Sequence, residues 1–307
     1  MPSIEYYLGI ALALLATSMF NSVPILQKQA LDKMVDLNKD NFIKTMLTLV
    51  KDKKWTLGLI IGISGGIPFS IAVIWTGITV VQPLMSFGFI VLAIFSTKVL
   101  GEKLNLSAKI SIGLMILMPT AIAFADVSMP RNDITQFDTQ LNLYIFSVGV
   151  FILIVISWLI AYKKPIFWAG VMGLFFTIGA YFVQGTLSLI EFAGYDLINH
   201  LPLVFKNMFS DLFLRLALLY ILIGTIFNIG GGAISQIGFQ KVAASKFNPI
   251  QQTINNIASI VGGILIFGQN IGNWWFYSIG MIFAVIGTLI LGSYQMETEH
   301  KPKPEDK

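Results

Sequence analysis

The 307-residue chain is 55% hydrophobic and 12% charged, with a mean hydropathy of +0.77. This composition excludes an ordinary soluble globular domain, in which about 25% of residues are charged. Cysteine is absent, which excludes disulfides, thiolate metal sites and cysteine nucleophiles. The net charge of +4 does not indicate a nucleic-acid partner, because the lysines lie in short loops beside apolar segments, where they set membrane orientation.

Uncharged apolar runs of about 20 residues have the length that an α-helix needs to cross a bilayer. Such runs predict about nine transmembrane helices and therefore an all-α integral membrane protein. In chain order they are Tyr6–Ala30, Trp55–Trp75, Ile78–Val99, Ser107–Ala125, Leu143–Ala161, Ile166–Ile190, Leu212–Phe239, Asn248–Gly268 and Asn273–Tyr294. Residues 1–307 are predicted to form a single polytopic membrane domain.

Three segments outside these runs have compositions of their own. Leu31–Lys54 carries apolar residues at helical spacing, which predicts a short interfacial helix. Glu191–Ser210 mixes aromatic and aliphatic residues with polar ones and predicts a second surface-lying segment. Glu297–Lys307 is charged and contains proline, which predicts a disordered tail.

The distribution of basic residues predicts the orientation, because they collect in cytoplasmic loops. With nine spans, sixteen lysines fall on one side of the membrane and only Arg131, Lys206 and Arg215 on the other, with Lys28 lying inside the first span. The sequence therefore predicts a multi-pass protein of the cell membrane with its N-terminus outside and its C-terminus in the cytoplasm.

Two proline-led segments resemble each other. Gln82-Pro83 and Asn248-Pro249 each open an apolar helix just after a tight reversal, where the missing N–H of proline costs no hydrogen bond. By the predicted topology they enter the membrane from opposite sides. This indicates two inverted repeats, residues 6–125 and 166–294, joined by a connecting helix at 143–162. Inverted repeats are common in secondary transporters, whose substrate site lies near the midplane where the repeats meet.

Neutral polar residues inside the spans are the candidate substrate-binding residues, because a polar group that faces lipid would lack a partner. Gln252, Asn255 and Asn256 are three and four residues apart and therefore share one face of the eighth span. The predicted lining of a cavity walled by spans one, two, six, seven and eight is Asn21, Ser22, Gln27, Ser64, Gln184, Asn228, Ser235, Gln236, Gln252, Asn255 and Asn256. The alternative is that these amides only bond helices to one another.

Glycines and prolines at membrane depth weaken helices and are candidate hinge or helix-break positions. They are Pro24, Gly65, Gly66, Pro68, Pro83, Gly230, Gly231, Gly232 and Pro249.

The candidate coupling residues are Lys28 and Glu102, which lie near span ends. No acidic pair falls inside a span, and both histidines lie outside the spans, so no metal site, cofactor or enzymatic activity is expected.

Three motifs carry a resemblance to a known family: Trp55-Thr-Leu-Gly58, Pro83-Leu84 and Gly101-Glu102-Lys103-Leu104-Asn105. With them the chain resembles the drug/metabolite transporter superfamily, which has an EamA-like fold, and within it the NIPA-type magnesium transporters. The resemblance continues through the fifth to ninth spans. It implies nine helices with the N-terminus outside.

One departure from this family concerns the ion. Where the family carries a glutamate in its second helix, this chain has Gly66, and the nearby family asparagine falls on Phe69. Magnesium is usually held by one or two carboxylates together with waters. The resemblance alone therefore does not transfer magnesium transport to this chain.

The sequence predicts a secondary transporter or facilitator that moves a small polar or zwitterionic metabolite by alternating access. The alternative substrate is Mg²⁺ or another divalent cation, and the alternative of another class is a membrane scaffold that transports nothing. Expected partners are the substrate and membrane lipid, without nucleic acid, in a monomer or a homodimer. A solvent-connected cavity lined by Asn228, Gln252 and Asn255 would favour transport, and a tightly packed interior would favour the scaffold.

Overall fold

The computed structural model describes residues 3–31, 51–91, 94, 106–195, 201–242 and 244–299. These residues form ten α-helices and, apart from one isolated β-bridge, no strand, which confirms the predicted all-α class. The helices are α1 Ile4–Leu31, α2 Lys53–Thr76, α3 Ile78–Met85, α4 Leu106–Ala123, α5 Phe137–Ala161, α6 Phe167–Phe192, α7 Leu201–Asn207, α8 Leu212–Lys241, α9 Ala244–Leu265 and α10 Trp274–Glu299.

Six helices are long and apolar enough to cross a membrane, judged by length and composition over the described residues. These segments are Ile4–Val23, Lys53–Thr76, Leu106–Ala123, Phe137–Ala161, Phe167–Phe192 and Leu212–Ile234. Two shorter apolar helices, Ile78–Val91 and Trp274–Ile290, and helix α9 coincide with the other predicted spans. A multi-pass helical membrane protein is thereby confirmed, and the total of nine spans stays a prediction.

Several predicted segments lie partly outside the described residues. Residues 32–50 hold most of the predicted interfacial helix, residues 95–105 include Glu102, and residues 300–307 hold most of the predicted tail. The second surface-lying segment is described in part, and it contains the short helix α7. Helix α10 continues through Glu299, so the first residues of the predicted tail, 297–299, are helical.

Helix α6 is the central element of the bundle. Of its most apolar stretch, 83% is buried inside the protein, against 22–39% for the other five long apolar helices. It packs against α5, α8 and α9, while α1 packs along α2, and α4 along α10. Helix α3 crosses α9 in the middle of the bundle. The most buried helix therefore supports the crossing of α3 and α9.

Helix directions divide the bundle into two ends. Val23 lies beside Gly62 and Gly9 beside Trp75, so α1 and α2 run antiparallel. The end that we call the N-terminal end contains the start of α1, the α2–α3 turn and the loops 124–136 and 266–273. The opposite end, which we call the lysine-rich end, carries the described lysines Lys51, Lys53, Lys54, Lys109, Lys163, Lys164 and Lys241. Which end faces the cytoplasm stays a prediction.

The candidate hinge or helix-break positions at Pro24, in the Ser64–Pro68 segment, in the 230–232 glycines and at Pro249 all lie inside helices. Helices α1, α2, α8 and α9 run through them without interruption. A physical reason is visible at two glycine sites, because aromatic rings fill the space that a side chain would take. The ring of Phe20 lies against Gly65. On α8, the ring of Phe175 lies against Gly230 and the ring of Phe176 against Gly231. A role as hinges stays a prediction.

The α2–α3 turn depends on Gly77. Its backbone has φ 74° and ψ 169°, a region that is accessible in practice only to glycine. A Cβ atom at this position would also collide with the side-chain amide of Gln269. The sharp reversal between the second and third predicted spans therefore requires a residue without a side chain.

We expect Gly77→Ala to lower the free energy of unfolding by about 1–3 kcal/mol, because alanine is strained in this backbone region. Thermal unfolding of the purified protein in detergent, followed by tryptophan fluorescence, measures the loss. The control is Gly113→Ala in α4, where an added Cβ meets nothing within 4 Å. That change should raise stability by about 0.5–1 kcal/mol, the usual gain of alanine over glycine in a helix. Equal effects of the two changes would contradict this account of the turn.

Candidate functional site

A group of neutral polar side chains joins α3 to α9 at the point where they cross. Asn255 Nδ2 donates to Gln82 Oε1 over 2.9 Å, and Asn256 Nδ2 donates to Ser86 Oγ over 3.1 Å. The Thr177 hydroxyl of α6 lies 3.2 Å from Asn255 Oδ1 and 3.0 Å from the Gly173 carbonyl of its own helix, and it shares its one proton between these two acceptors. We call these five residues the polar seam. They link a helix of the first predicted repeat to two helices of the second.

The polar seam is closed to solvent in this conformation. Each of its five side chains is 5% exposed or less. Two neighbours on α9 complete its hydrogen bonds: Ser259 donates to Asn255 Oδ1 over 3.3 Å and Gln252 donates to Asn256 Oδ1 over 2.8 Å. A buried polar group without a partner is costly in a medium of low dielectric constant. The seam avoids this cost by pairing its amides and hydroxyls with one another.

Helix α3 is irregular where it meets the polar seam. Beyond Met85, the N–H groups of Ser86 and Phe87 donate three residues back, to Pro83 and Leu84, in place of the α-helical pattern. The helix resumes at residue 88. A short tightened stretch inside a helix often marks a hinge, and interrupted helices are typical of transporter binding sites. Of the predicted breaks, the one at Pro83 therefore has a counterpart, three residues further on.

Helix α1 supports this irregular stretch. Thr17 Oγ1 donates to the Met85 carbonyl over 2.8 Å. The amide of Asn21 lies against Gly88, just beyond the tightened turn, and its Nδ2 donates to the carbonyl of Thr17 over 2.9 Å. Close approach of α1 to α3 requires glycine at position 88, because a Cβ there would overlap the Asn21 amide.

The structure brings some of the predicted lining residues together. Asn255 and Asn256 belong to the polar seam, Gln252 flanks it, and Asn21 lies next to it on α1. Ser22 bonds back to its own helix at the Met19 carbonyl. The walls differ from the predicted ones, because α3 was not among the predicted walls, and α2 and α8 donate no hydrogen bond to the seam among the described residues.

Other predicted lining residues lie elsewhere. Asn228 lies on α8, where its amide packs against Gly179 of α6 and donates to the Gly224 carbonyl of its own helix. Ser64 is half-buried on α2, a helix that does not contribute to the polar seam. The side chains of Gln27, Lys28, Ser235 and Gln236, together with all of Glu102, lie outside the described part of the chain.

Gln184 has a structural contact that its predicted role did not include. Its Oε1 accepts from the Ile78 N–H over 3.1 Å, and the next N–H, of Thr79, donates to Gln269 Oε1 over 3.2 Å. The first N–H groups of a helix have no partner within the helix. Two amides from distant parts of the chain therefore cap the start of α3.

Gln269 also closes the N-terminal end of the bundle. Its Nε2 donates to the carbonyls of Thr76 and Ser128 over 2.9 and 3.1 Å, and the side chain is 2% exposed. Tyr277 adds a 2.7 Å hydrogen bond to the Thr79 carbonyl. The turn before α3, the 124–136 loop and the 266–273 loop are thus bonded to one another at this end.

A cavity of about 320 Å³ opens at the same end, and it does not reach the polar seam. Its lining is Tyr7, Ala123, Phe124, Asp126, Gly272 and Asn273.

The polar seam offers amide carbonyl oxygens, N–H donors and hydroxyls without formal charge. Within the described part of the chain, no three acidic or histidine side chains converge on a metal-binding position. These side chains can bind a solute through hydrogen bonds. None of them gains or loses a proton near neutral pH, so the seam contains no acid or base.

Sequence reasoning missed Gln82, Ser86, Thr17 and Thr177. Gln82 was noticed only as the residue before Pro83 at a helix start. Ser86 is four residues after Gln82, so the spacing rule that identified the face of α9 also identifies a polar face on α3. The two threonines give no such signal, because threonine in a membrane helix commonly bonds to its own backbone.

These features define a multi-pass α-helical membrane protein with a closed, neutral polar seam at its centre. The magnesium transporter NIPA4 of Mus musculus is 25% identical over 303 residues, which cover 95% of this chain and 71% of the mouse protein. No family model and no solved structure matches the chain. The similarity supports a membrane transporter and a relationship to the NIPA-type proteins, whereas the wider drug/metabolite transporter assignment stays a prediction.

We expect Gln184→Leu to destabilise the protein by about 1–3 kcal/mol, because the buried N–H of Ile78 loses its acceptor. Thermal unfolding in detergent measures this effect. The control, Gln140→Leu, removes an amide near the start of α5 whose hydrogen bond to Thr135 is long, at 3.4 Å, and should change stability by no more than about 0.5 kcal/mol. Unchanged stability of Gln184→Leu together with lost transport would instead make Gln184 a binding residue.

Proposed function

We propose that this chain is a secondary transporter or facilitator in which a small polar solute crosses the membrane between α3 and α9. The polar seam is the observation that carries the proposal. Its side-chain hydrogen bonds join helices from the two predicted repeats, and a solute with donors and acceptors can replace them. Similarity to a known transporter over nearly the whole chain supports the same function.

The seam is weak enough to open. A neutral hydrogen bond contributes a net of about 0.5–1.5 kcal/mol, so the Gln82–Asn255 and Ser86–Asn256 pairs together contribute about 1–3 kcal/mol. A zwitterionic or polar solute offers amide-like or hydroxyl partners that repay this cost when the helices part. The tightened turn at Ser86 and Phe87 allows the two segments of α3 to change their relative angle.

Matched contacts in the two halves support the proposed inverted repeats. Thr17 of α1 donates to α3, and Thr177 of α6 donates to α9. Helices α1 and α2 pair as α6 and α8 do, with aromatic rings against glycines in both cases. Helices α3 and α9 run antiparallel, because Thr79 lies beside Gly263 while Ser86 bonds Asn256. Rocking of one such half against the other would separate α3 from α9.

Hydrogen bonds at the N-terminal end favour a conformation that is closed on that side. Gln269 joins the α2–α3 turn to the 124–136 loop, and Val127 pairs with Ile271 in an isolated β-bridge. Release of these contacts gives access from the N-terminal end, and opening of the lysine-rich end gives access from the other. By the predicted orientation, the closed side is the extracellular one.

A second candidate function is transport of Mg²⁺ or another divalent cation, favoured by the similarity to a magnesium transporter. The polar seam would then contact a hydrated ion through amide and hydroxyl oxygens. Gly66, which stands in place of the family glutamate, has open space around a potential Cβ. A Cβ atom is therefore tolerated at position 66, which carries no charge in this chain.

We expect Asn255→Leu to reduce solute uptake into proteoliposomes at least about tenfold, because a lost hydrogen bond of about 1.4 kcal/mol changes a binding constant by that factor. Radiolabelled amino acids serve as zwitterionic probes, and an entrapped dye reports Mg²⁺. The matched control is Asn142→Leu, the same change at an exposed position of α5, which should leave uptake within about twofold of wild type.

Three results are decisive for this test. Equal uptake by wild type and Asn255→Leu would show that the solute does not cross the membrane through the polar seam. An equal loss of uptake in Asn142→Leu would attribute the effect to a general disturbance of the fold and would contradict a specific role for the polar seam. Seam-dependent uptake of Mg²⁺ without uptake of any zwitterionic probe would establish the second candidate.

A further inference from the structure

An aromatic cluster lies at the lysine-rich end, where α5 ends and α6 begins. The rings of Trp158 and Trp168 meet edge to face with centroids 4.9 Å apart, and those of Tyr162 and Trp168 are 5.7 Å apart. Trp158 Nε1 donates to the Tyr162 hydroxyl over 3.1 Å. Trp168 is 2% exposed, whereas Tyr162 is 66% exposed, so the cluster extends from the protein interior to its surface.

One lysine contacts this cluster, and two more directly follow Tyr162 in the chain. The Nζ of Lys241, at the end of α8, lies 5.5 Å from the centroid of the Trp168 ring. A cation–π contact positions an ammonium group without neutralising its charge. Lys163 and Lys164 are exposed in the turn that follows Tyr162. No ion pair joins these lysines to a carboxylate among the residues that the structure describes. The cluster therefore carries three positive charges without a protein counter-ion.

The residues around the cluster have the composition that is typical of a membrane–water interface. The preceding turns of α5 expose large apolar side chains, with Phe151 at 47%, Ile152 at 53% and Leu159 at 65%, as expected of a lipid-facing surface. Tryptophan and tyrosine collect at the membrane–water interface, and lysines in the adjacent loops lie beside the phosphates. The apolar face of α5 is thus followed by the lysines, just as the acyl chains of a phospholipid are followed by its phosphate-bearing headgroup.

We propose that Trp158, Tyr162, Lys163, Lys164 and Lys241 form a binding site for an anionic phospholipid. The lysines bind the phosphate-bearing headgroup, and the acyl chains lie along the exposed face of α5. A free phosphate ion would leave that apolar face uncovered, and a zwitterionic headgroup would bring its own ammonium group among three lysines. The bound lipid connects the α5–α6 turn to the end of α8. This inference does not rest on the proposed transport.

Native mass spectrometry of the full chain in a non-ionic detergent tests the site. Phosphatidylglycerol and phosphatidylcholine of the same acyl chains are titrated separately, with inorganic phosphate as a third ligand. We expect phosphatidylglycerol to bind at least about tenfold more tightly than phosphatidylcholine, because lysines attract an anionic headgroup and not one without net charge. The triple variant Lys163→Gln, Lys164→Gln, Lys241→Gln should lose this preference.

The matched control is Lys51→Gln, Lys53→Gln, Lys109→Gln, which removes the same charge from the same end of the bundle, away from the aromatic cluster. It should retain the preference for phosphatidylglycerol within about twofold. If the two triple variants lost the preference for phosphatidylglycerol equally, the binding would be general attraction to a basic surface, and the proposal of a defined site would be overturned. Equal binding of the two lipids, or displacement of phosphatidylglycerol by millimolar inorganic phosphate, would also overturn it.

Discussion

A polar side chain inside a bilayer has no water to bond with, and this constraint organises the centre of the protein. Asn255 and Asn256 are buried on α9 in the middle of the bundle, so their amides must find partners within the protein. They find Gln82 and Ser86 of α3 and Thr177 of α6. These hydrogen bonds hold α3 against α9 and α9 against α6.

A neutral seam differs from a charged one in what it permits. A buried ion pair is strongly destabilised when it is pulled apart, whereas amide and hydroxyl pairs separate at a cost of a few kcal/mol. The same pairs would serve a scaffold equally well while closed. Two observations favour transport: α3 loses its regular helical pattern at the seam, and the chain is similar to a transporter along most of its length.

The sequence predicted the helical class and the polar face of α9, because both depend on local spacing. Gln252, Asn255 and Asn256 recur at three and four residues and can only share a face. The partner of that face could not be predicted in the same way, since pairing between α3 and α9 is decided by packing of distant segments. Gln184 illustrates the limit: its buried position was predicted, but an isolated amide does not reveal whether it binds a solute or caps a helix. Gly65 illustrates a second limit, because the Phe20 ring that packs against it comes from a distant part of the chain.

Separation of α3 from α9 requires the closed N-terminal end of the bundle to open, and a reversible cross-link at that end tests this most directly. Val127 and Ile271 pair there in an isolated antiparallel β-bridge, and the natural chain has no cysteine that would interfere. In proteoliposomes, Val127→Cys with Ile271→Cys should transport the solute when reduced, stop when the disulfide forms and recover on reduction, while each single variant is insensitive to oxidation. Full transport by the cross-linked protein would contradict the account.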